Sequence, residues 1–203
     1  FHPQFDRIQN IIKSNILGEI NYAHSMFSFP IQPARFYRIN RSIKNGGGAL
    51  WDIGPYAIHT IRNCFKENPV QVYAQSKLNE QGADISTTGM IDFGGHKRAT
   101  FDISFECTRR SEFEAFGPLG RVKCPTVWQP EDKQAKIIIN TESSGLTEEV
   151  VPAANHFILE INHFNKVISS DIKLKLSNED ALWNSRTLES IQQSIKEDGW
   201  VNL

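Results

Sequence analysis

Apolar residues recur every three or four positions in four segments of the chain, and this spacing places them on one face of a helix. Pro55 suits the first turn of the second segment, and Ser177 with Asp180 resembles a capping box before the fourth. Gly18 and Gly199 follow the first and last segments, where a helix would end. The pattern predicts helices over residues 4–17, 55–66, 155–169 and 178–197.

The third predicted helix carries an apolar face and a separate polar set. The set His156, Glu160 and His163 has the spacing of a metal-binding face, but a solvated or interhelical polar face is the ordinary interpretation. We therefore predict no metal site. The apolar residues that we expect to point inward are Phe157, Ile158, Ile161, Phe164 and Ile168.

The middle of the chain shows the two-residue alternation that is typical of strands. From Arg98 to Cys107 apolar residues at odd positions alternate strictly with Thr100, Asp102, Ser104 and Glu106. One face of this strand should pack on helices, while the polar face meets either water or another subunit. Similar runs predict strands over residues 19–29, 70–78, 84–93, 98–107, 112–117, 121–124 and 135–140.

Strands cluster in the middle of the chain and helices at its ends, so the predicted fold class is α+β. We expect a large, mostly antiparallel open sheet with helices packed on one face, in a single domain over residues 1–203. Residues 31–48 have no sustained period and are predicted to form a loop. Its end, Gly46-Gly47-Gly48, matches neither a G-x-G-x-x-G turn nor a P-loop, so no nucleotide-binding half is visible.

Composition and charge argue against nucleic-acid binding and against a membrane-spanning protein. The formal net charge is -1, with no basic stripe that would neutralise the phosphates of a nucleic acid. The longest apolar runs are far shorter than the roughly 20 residues of a membrane span. Three cysteines without a C-x-x-C pair suggest a reducing, cytoplasmic setting. Because Phe1 is neither an initiator Met nor part of a signal-like stretch, we expect the chain to belong to a longer protein.

Candidate chemistry concentrates after the glycines, where Asp52, Tyr56 and His59 have i, i+4 and i+7 spacing. If one helical phase ran through all three, a carboxylate, a phenol and an imidazole would share one pocket wall. A phenol can exchange a proton with a substrate hydroxyl, although its reference pKa of about 10 requires a positive neighbour. Alternatively, Asp52 only caps the helix and the other two are ordinary half-exposed residues.

The stretch GGGALWDIGPYAIHTIR, residues 46–62, closely resembles the segment that opens the first long helix of the C-terminal domain in the glucose-fructose oxidoreductase and inositol dehydrogenase (Gfo/Idh/MocA) family. Shorter pieces agree in order, so the resemblance covers essentially the whole chain. These pieces are Phe1-His2-Pro3, Leu17-Gly18-Glu19-Ile20, residues 116–122, residues 160–164 and residues 178–181.

This resemblance implies a two-domain protein in which an N-terminal Rossmann domain holds NAD or NADP. The resemblance places the catalytic pair on Asp52 and Tyr56. With a tyrosine at position 56, the sequence is similar to the sugar and dihydrodiol branch of the family rather than to the inositol branch. His59 would contact the substrate at the edge of the site, and Arg38 would contact it from the loop, unless Arg38 is a solvated loop residue. The family's catalytic lysine, from a Glu-Lys-Pro type motif, would precede Phe1, so the chain alone should bind no cofactor and be inactive.

The prediction for function is the substrate-side domain of an NAD(P)-dependent oxidoreductase acting on a sugar, polyol or diol. The small-molecule substrate and the missing Rossmann domain would be its partners, and the open sheet would form a homo-oligomer. Two alternatives from other classes remain: a non-catalytic domain used for sheet-mediated assembly, and a free-standing sugar-binding domain.

Overall fold

A computed structural model gives the fold and describes residues 1–128, 133–170 and 172–203. The described residues form one nine-stranded sheet. Its strands are β1 (Tyr22–Ser28), β2 (Gln71–Leu78), β3 (Asp84–Gly94), β4 (Lys97–Ser104), β5 (Arg110–Gly117), β6 (Gly120–Cys124), β7 (Ala135–Thr141), β8 (Gly145–Val151) and β9 (Val201–Asn202).

The strand order across the sheet is β8-β7-β6-β5-β1-β4-β3-β2-β9. Every neighbouring pair is antiparallel except β1 and β4, which run parallel. Strand β1 lies between β4 and β5, and Phe27 is opposite Ile103 on one side and Ser111 on the other. The predicted large, mostly antiparallel open sheet is confirmed.

Five helices accompany the sheet in the described residues. Helix α5 has the predicted bounds, and the Ser177 side chain accepts a hydrogen bond from the Asp180 backbone N–H, as a capping box requires. The loop before the glycines contains two 3₁₀ turns, Pro33–Arg38 and Ile43–Asn45. The helices are α1 (Pro3–Lys13), α2 (Ala49–Asp52), α3 (Gly54–Phe65), α4 (His156–Ser170) and α5 (Asn178–Glu197).

Helices α2, α3 and α5 cover one face of the sheet, and α1 contacts that face at β7. In β4, Ala99, Phe101 and Ile103 are fully buried beneath them, which confirms the alternation predicted for this strand. The strand stops earlier than predicted, at Ser104, because the buried Ser104 hydroxyl accepts backbone hydrogen bonds from the next turn. Cys107 therefore lies outside the strand and is exposed.

The prediction that α4 buries its apolar face is wrong. Its inward side carries His156, His163 and Val167, which are half-buried, because α4 lies against the N-terminal residues of the chain. The Phe1 ring lies 5.3 Å from the His163 ring, and His163 Nε2 accepts a hydrogen bond from the Lys175 backbone N–H. The residues predicted to be inward are exposed instead: Phe157, Ile158, Ile161, Phe164 and Ile168.

Three smaller predictions are corrected. Helix α1 ends at Lys13 rather than near Gly18, because Asn15 turns to a left-handed φ of 59°. The left-handed residue after α5 is Asp198 rather than Gly199. The sequence missed β8 and β9, since β8 is an exposed edge strand in which Val151 alone is buried, and β9 has two residues.

Among the described residues, no helix has the length and apolarity to cross a membrane.

Candidate functional site

The predicted residues Arg38 and Asp52 meet in an ion pair. Arg38 is the last residue of the first 3₁₀ turn and Asp52 is the last residue of α2, so two short elements from either side of the glycines converge here. Their side chains are only 26% and 25% exposed. A hydrogen bond to the Tyr37 hydroxyl and the pairing with Asp52 both raise the pKa of the Arg38 guanidinium.

A bend at Ile53 separates α2 from α3. Ile53 has φ −115° and ψ −18°, so one continuous helical phase does not run from Asp52 into α3. The prediction that Asp52, Tyr56 and His59 share one pocket wall required such a continuous phase. Packing beside the bend is close: a Cβ on Gly54 would lie 3.3 Å from the Ile103 side chain. Helix α5 also holds both elements, because Trp51 Nε1 donates to Gln192 at 2.7 Å and Asn184 donates to the Pro55 carbonyl at 3.3 Å.

Tyr56 lies in the first turn of α3 on a base of buried aromatic rings. The Phe27 ring meets it edge-on at 5.7 Å and stacks on Trp128 at 5.0 Å. Trp128 Nε1 donates to the Thr60 hydroxyl, which donates to the Tyr56 carbonyl at 2.9 Å. The Tyr56 side chain is 38% exposed, and its hydroxyl makes no hydrogen bond to the described residues. The Tyr56 ring is thus packed on buried aromatic residues while part of the residue stays exposed.

His59 faces α5 instead of the Arg38–Asp52 pair. Its Nε2 lies 3.1 Å from an Asp180 carboxylate oxygen, and its ring stacks on Phe5 at 5.6 Å. Arg62 also approaches Asp180, at 3.2 Å. These contacts, that of His59 first, hold the pKa of Asp180 below its usual value. Of the four predicted site residues, the structure brings Arg38 and Asp52 together and places Tyr56 on the aromatic base. It turns His59 toward the first turn of α5.

Asp84 supports this region and was not predicted from the sequence. It is fully buried at the start of β3, where one carboxylate oxygen accepts hydrogen bonds of 2.8 Å from the Leu50 backbone N–H and from the Thr87 hydroxyl. Burial raises its pKa to about 6, although these hydrogen bonds oppose the shift. In the sequence Asp84 is only a polar residue at the beginning of a strand, so no spacing marks it.

The glycine run fits its own chain closely. A Cβ on Gly47 would lie 1.9 Å from the Arg41 carbonyl oxygen, and one on Gly48 would lie 1.8 Å from an Asp84 carboxylate oxygen. Gly48 also adopts φ +95°, which other residues rarely take. Because a carboxylate already occupies the start of the four-residue α2, this turn does not fit the phosphates of a dinucleotide.

The predicted polar set on α4 does not form a metal site. His163 accepts the Lys175 backbone N–H, and the His156 ring lies 4.1 Å from the Phe157 ring. Among the described residues, no three His, Cys, Asp or Glu side chains are arranged to hold a metal ion. Two shallow surface depressions, one along α5 and one at the β5–β6 turn, include none of the predicted site residues in their linings.

Comparison with known proteins identifies close counterparts of this domain. The chain is 29% identical over its whole length to an uncharacterized oxidoreductase of Rhizobium meliloti, of which it covers 62%. It is also 26% identical to the trans-1,2-dihydrobenzene-1,2-diol dehydrogenase of Xenopus tropicalis. That match covers 69% of this chain and 41% of the dehydrogenase. The chain thus spans less than two thirds of the length of either relative.

The fold is also that of a solved structure. A 3-ketoreductase from Actinomadura kijaniata, crystallised with TDP-benzene and NADP, superposes with a TM-score of 0.82 at 21% identity, over 95% of this chain and 58% of that one. Other relatives are named as reductases or dehydrogenases of sugars. Residues 5–123 match the model of the GFO/IDH/MocA C-terminal domain. The chain therefore belongs to the GFO/IDH/MocA family of oxidoreductases and carries its C-terminal domain.

Proposed function

We propose that this chain is the substrate-side domain of an NAD(P)-dependent oxidoreductase that acts on a hydroxyl or carbonyl group of a sugar, polyol or diol. The observation that carries the proposal is the partly exposed Tyr56, whose ring packs on buried aromatic residues and whose hydroxyl has no hydrogen-bond partner among the described residues. The relatives named as sugar and diol oxidoreductases support this substrate class.

Tyr56 is assigned the proton part of the reaction. Oxidation of an alcohol removes a hydride from carbon and a proton from oxygen, and the phenol oxygen of Tyr56 takes or returns that proton. No residue of this chain is assigned to the hydride, which the nicotinamide carries when it is bound by another domain. Since the phenol pKa is about 10 in water, a cation must lie near Tyr56 when it works. Arg38 is already paired with Asp52, so we assign that charge to a lysine outside this chain.

Arg38 and Asp52 are proposed to hold the substrate. A guanidinium has five N–H donors, and the contacts to Tyr37 and Asp52 leave some of them free for substrate hydroxyls. Asp52 keeps the guanidinium in one orientation, which reduces the entropy lost when substrate binds. For His59, the contact with Asp180 favours a role in fixing α3 against α5, while a substrate contact at the edge of the site stays a prediction.

The sheet face opposite the helices is proposed to contact another subunit. Its side chains already pair with one another: His24 Nδ1 lies 2.6 Å from the Thr100 hydroxyl, and Arg110 pairs with Asp102. Such a preorganised polar face can join an isologous interface without leaving unpaired charges. This assembly role is compatible with catalysis and does not replace it.

Tyr56→Phe tests the catalytic assignment in the protein that joins this chain to its dinucleotide-binding domain. We expect kcat to fall by about 100-fold or more, because the proton acceptor is lost, while the dissociation constant of the nucleotide stays unchanged. Steady-state kinetics and fluorescence titration of the nucleotide measure the two quantities.

The matched control is Tyr73→Phe, which removes another partly exposed phenol, on β2. It should leave kcat within about twofold of the wild type, as distant surface changes usually do. Equal losses of turnover and nucleotide affinity in Tyr56→Phe, or no loss in turnover, would contradict the role given to Tyr56. Binding of simple sugars to the 203-residue chain without nucleotide would favour the sugar-binding alternative.

A further inference from the structure

Asp84 is a buried carboxylate whose two oxygens have different surroundings. One oxygen accepts the Leu50 backbone N–H and the Thr87 hydroxyl. The other oxygen, Oδ1, is buried and has no hydrogen-bond partner among the described residues. A buried acceptor without a partner lowers the stability of the folded chain. A contribution to stability therefore does not by itself account for a carboxylate at this position.

Through Leu50, Asp84 holds the start of α2. This helix has four residues, and the Ile53 N–H that closes it donates to the Ala49 carbonyl at 2.9 Å. So short a helix has few hydrogen bonds of its own, and a carboxylate that accepts an N–H of its first turn stabilises it. Asp52 is the last residue of α2, two positions after Leu50, so the contact at Leu50 determines where the Asp52 carboxylate lies.

The backbone of Arg38 is held from the same place. The Gly48 N–H donates to the Arg38 carbonyl at 2.8 Å. Gly48 packs directly on Asp84, since a Cβ at Gly48 would lie 1.8 Å from Asp84 Oδ1. The residue that contacts the start of α2 therefore also contacts the turn that binds the Arg38 backbone.

The turn between β2 and β3 holds the loop that follows Arg38. The Asn79 side chain donates to the Ile39 carbonyl at 2.9 Å, and the Ile43 N–H donates to the Gly82 carbonyl at 2.8 Å. Strand β3 begins immediately after this turn. Both halves of the ion pair are thus anchored to one end of one hairpin.

We propose that Asp84 is a positioning residue for the substrate: by holding the first turn of α2, it keeps Asp52, and through Asp52 the Arg38 guanidinium, in the orientation that receives substrate hydroxyls. This inference rests on the function proposed above, in which Arg38 and Asp52 hold the substrate. Asp84 is fully buried, so it acts through the pair and does not touch the substrate. A supporting residue of this kind matters because a preorganised guanidinium loses less entropy when substrate binds.

The mobility of the Arg38 guanidinium in the 203-residue chain tests the proposal without an assay of activity. Proton–nitrogen NMR detects the Nε–H of each arginine, and this proton exchanges slowly with water when the guanidinium is held. The Arg38 signal is assigned by its loss in Arg38→Lys. We expect its exchange to be at least about tenfold faster in Asp84→Ala, because local opening becomes easier. Asp84→Asn keeps an oxygen for the Leu50 N–H and should restore slow exchange.

Arg110 is the internal control in the same spectra. It pairs with Asp102 on the open face of the sheet, and these side chains are 25% and 26% exposed, which matches the exposure of Arg38 and Asp52. Exchange at Arg110 should be unchanged in both Asp84 variants. Unchanged exchange at Arg38 in Asp84→Ala would overturn the proposal. Faster exchange at both arginines in a folded variant would also overturn it, because the effect would then be a general loosening.

Thr87→Val decides the question if Asp84→Ala does not fold. Thr87 is fully buried, and valine keeps its branched shape but loses the hydroxyl that donates to Asp84. Thr187→Val is the matched control, since Thr187 is also fully buried and its hydroxyl donates to a carbonyl within α5. Exchange at Arg38 should become about threefold faster in Thr87→Val, as expected for one lost hydrogen bond. Equal exchange in the two threonine variants would contradict the positioning role.

Kinetics of a protein that joins this chain to a dinucleotide-binding domain give a second readout. We expect Asp84→Ala to raise KM for the substrate by about tenfold while kcat stays within about threefold, since Tyr56 is untouched. Asp84→Asn should restore most of the affinity. A merely structural defect would instead lower the active fraction, and hence the apparent kcat, at constant KM. That result would overturn the proposal.

Two combined outcomes separate this proposal from the proposed function. Turnover that depends on Tyr56, together with Arg38 exchange that is insensitive to Asp84→Ala, would overturn the positioning role and leave the proposed function standing. Arg38 exchange that depends on Asp84 in a protein without any turnover would support the positioning of the pair and count against the proposed function.

Discussion

At the scale of single residues, Asp52 pairs with Arg38, and Tyr56 lies on a base of aromatic rings. The resemblance picked out Asp52 and Tyr56 from the sequence, and their catalytic role stays a prediction. The direction of His59 could not be predicted, because helical spacing assumes an unbroken helix and the chain bends at Ile53. Asp84 was missed for the same reason, since only the folded chain brings it to Leu50.

Asp84 gives a prediction for pH dependence. Its folded pKa, about 6, is above its unfolded value of 3.8. The folded state therefore binds more protons between these values, and the free energy of unfolding that Asp84 contributes is full below pH 3.8 and falls as pH rises through about 6. The loss is on the order of 2 to 3 kcal/mol, from 1.36 kcal/mol for each pKa unit.

Asp84→Asn removes this titration and keeps an oxygen that accepts the Leu50 N–H. Urea unfolding of both proteins between about pH 4 and 7 measures the effect. The stability of the wild type relative to the variant should decrease by about 2 kcal/mol as pH rises across this window. Other titrating groups are common to both proteins and cancel. A difference in the free energy of unfolding between the two proteins that stays constant with pH would contradict the raised pKa of the buried Asp84 carboxyl.

At the scale of elements, apolar spacing predicted where helices lie but not what covers them. The bounds of α5 were predicted to the residue because its cap is a local hydrogen bond. The apolar face of α4 was predicted with the same method, yet it points outward, since a periodic pattern identifies a face and not the partner that buries it. Strand β8 was not predicted, because its residues are mostly exposed and its apolar and polar residues do not alternate.

The open face of the sheet yields a prediction about assembly. Thr88 of β3 is exposed on this face and hydrogen-bonds Asp102, so Thr88→Lys should fold normally but bury a charge if another subunit covers the face. We expect a dimer or larger assembly in the wild type and a lower association state in Thr88→Lys, measured by sedimentation velocity. Thr147→Lys, on the edge strand β8, is the matched control and should assemble normally. A monomeric wild type would contradict the assembly role.

At the scale of the whole molecule, the α+β class and the antiparallel character followed from the sequence because strands cluster between helices. The strand order did not. Alternation defines which side of a strand is buried but not its neighbour, so the parallel pairing of β1 with β4 and its place beside β5 had to come from the structure. This arrangement puts β1, with Phe27, directly beneath Tyr56 and so links the centre of the sheet to the proposed site.

The central claim is that this domain supplies the substrate side of a nicotinamide-dependent reaction. The most direct test is the rate of nicotinamide oxidation or reduction by a protein that joins this chain to a dinucleotide-binding domain, assayed against aldoses, ketosugars, polyols and vicinal diols with NAD and with NADP. We predict turnover with at least one of these substrate classes and none from the 203-residue chain alone. A protein that binds the nucleotide but turns over no member of any class would contradict the account.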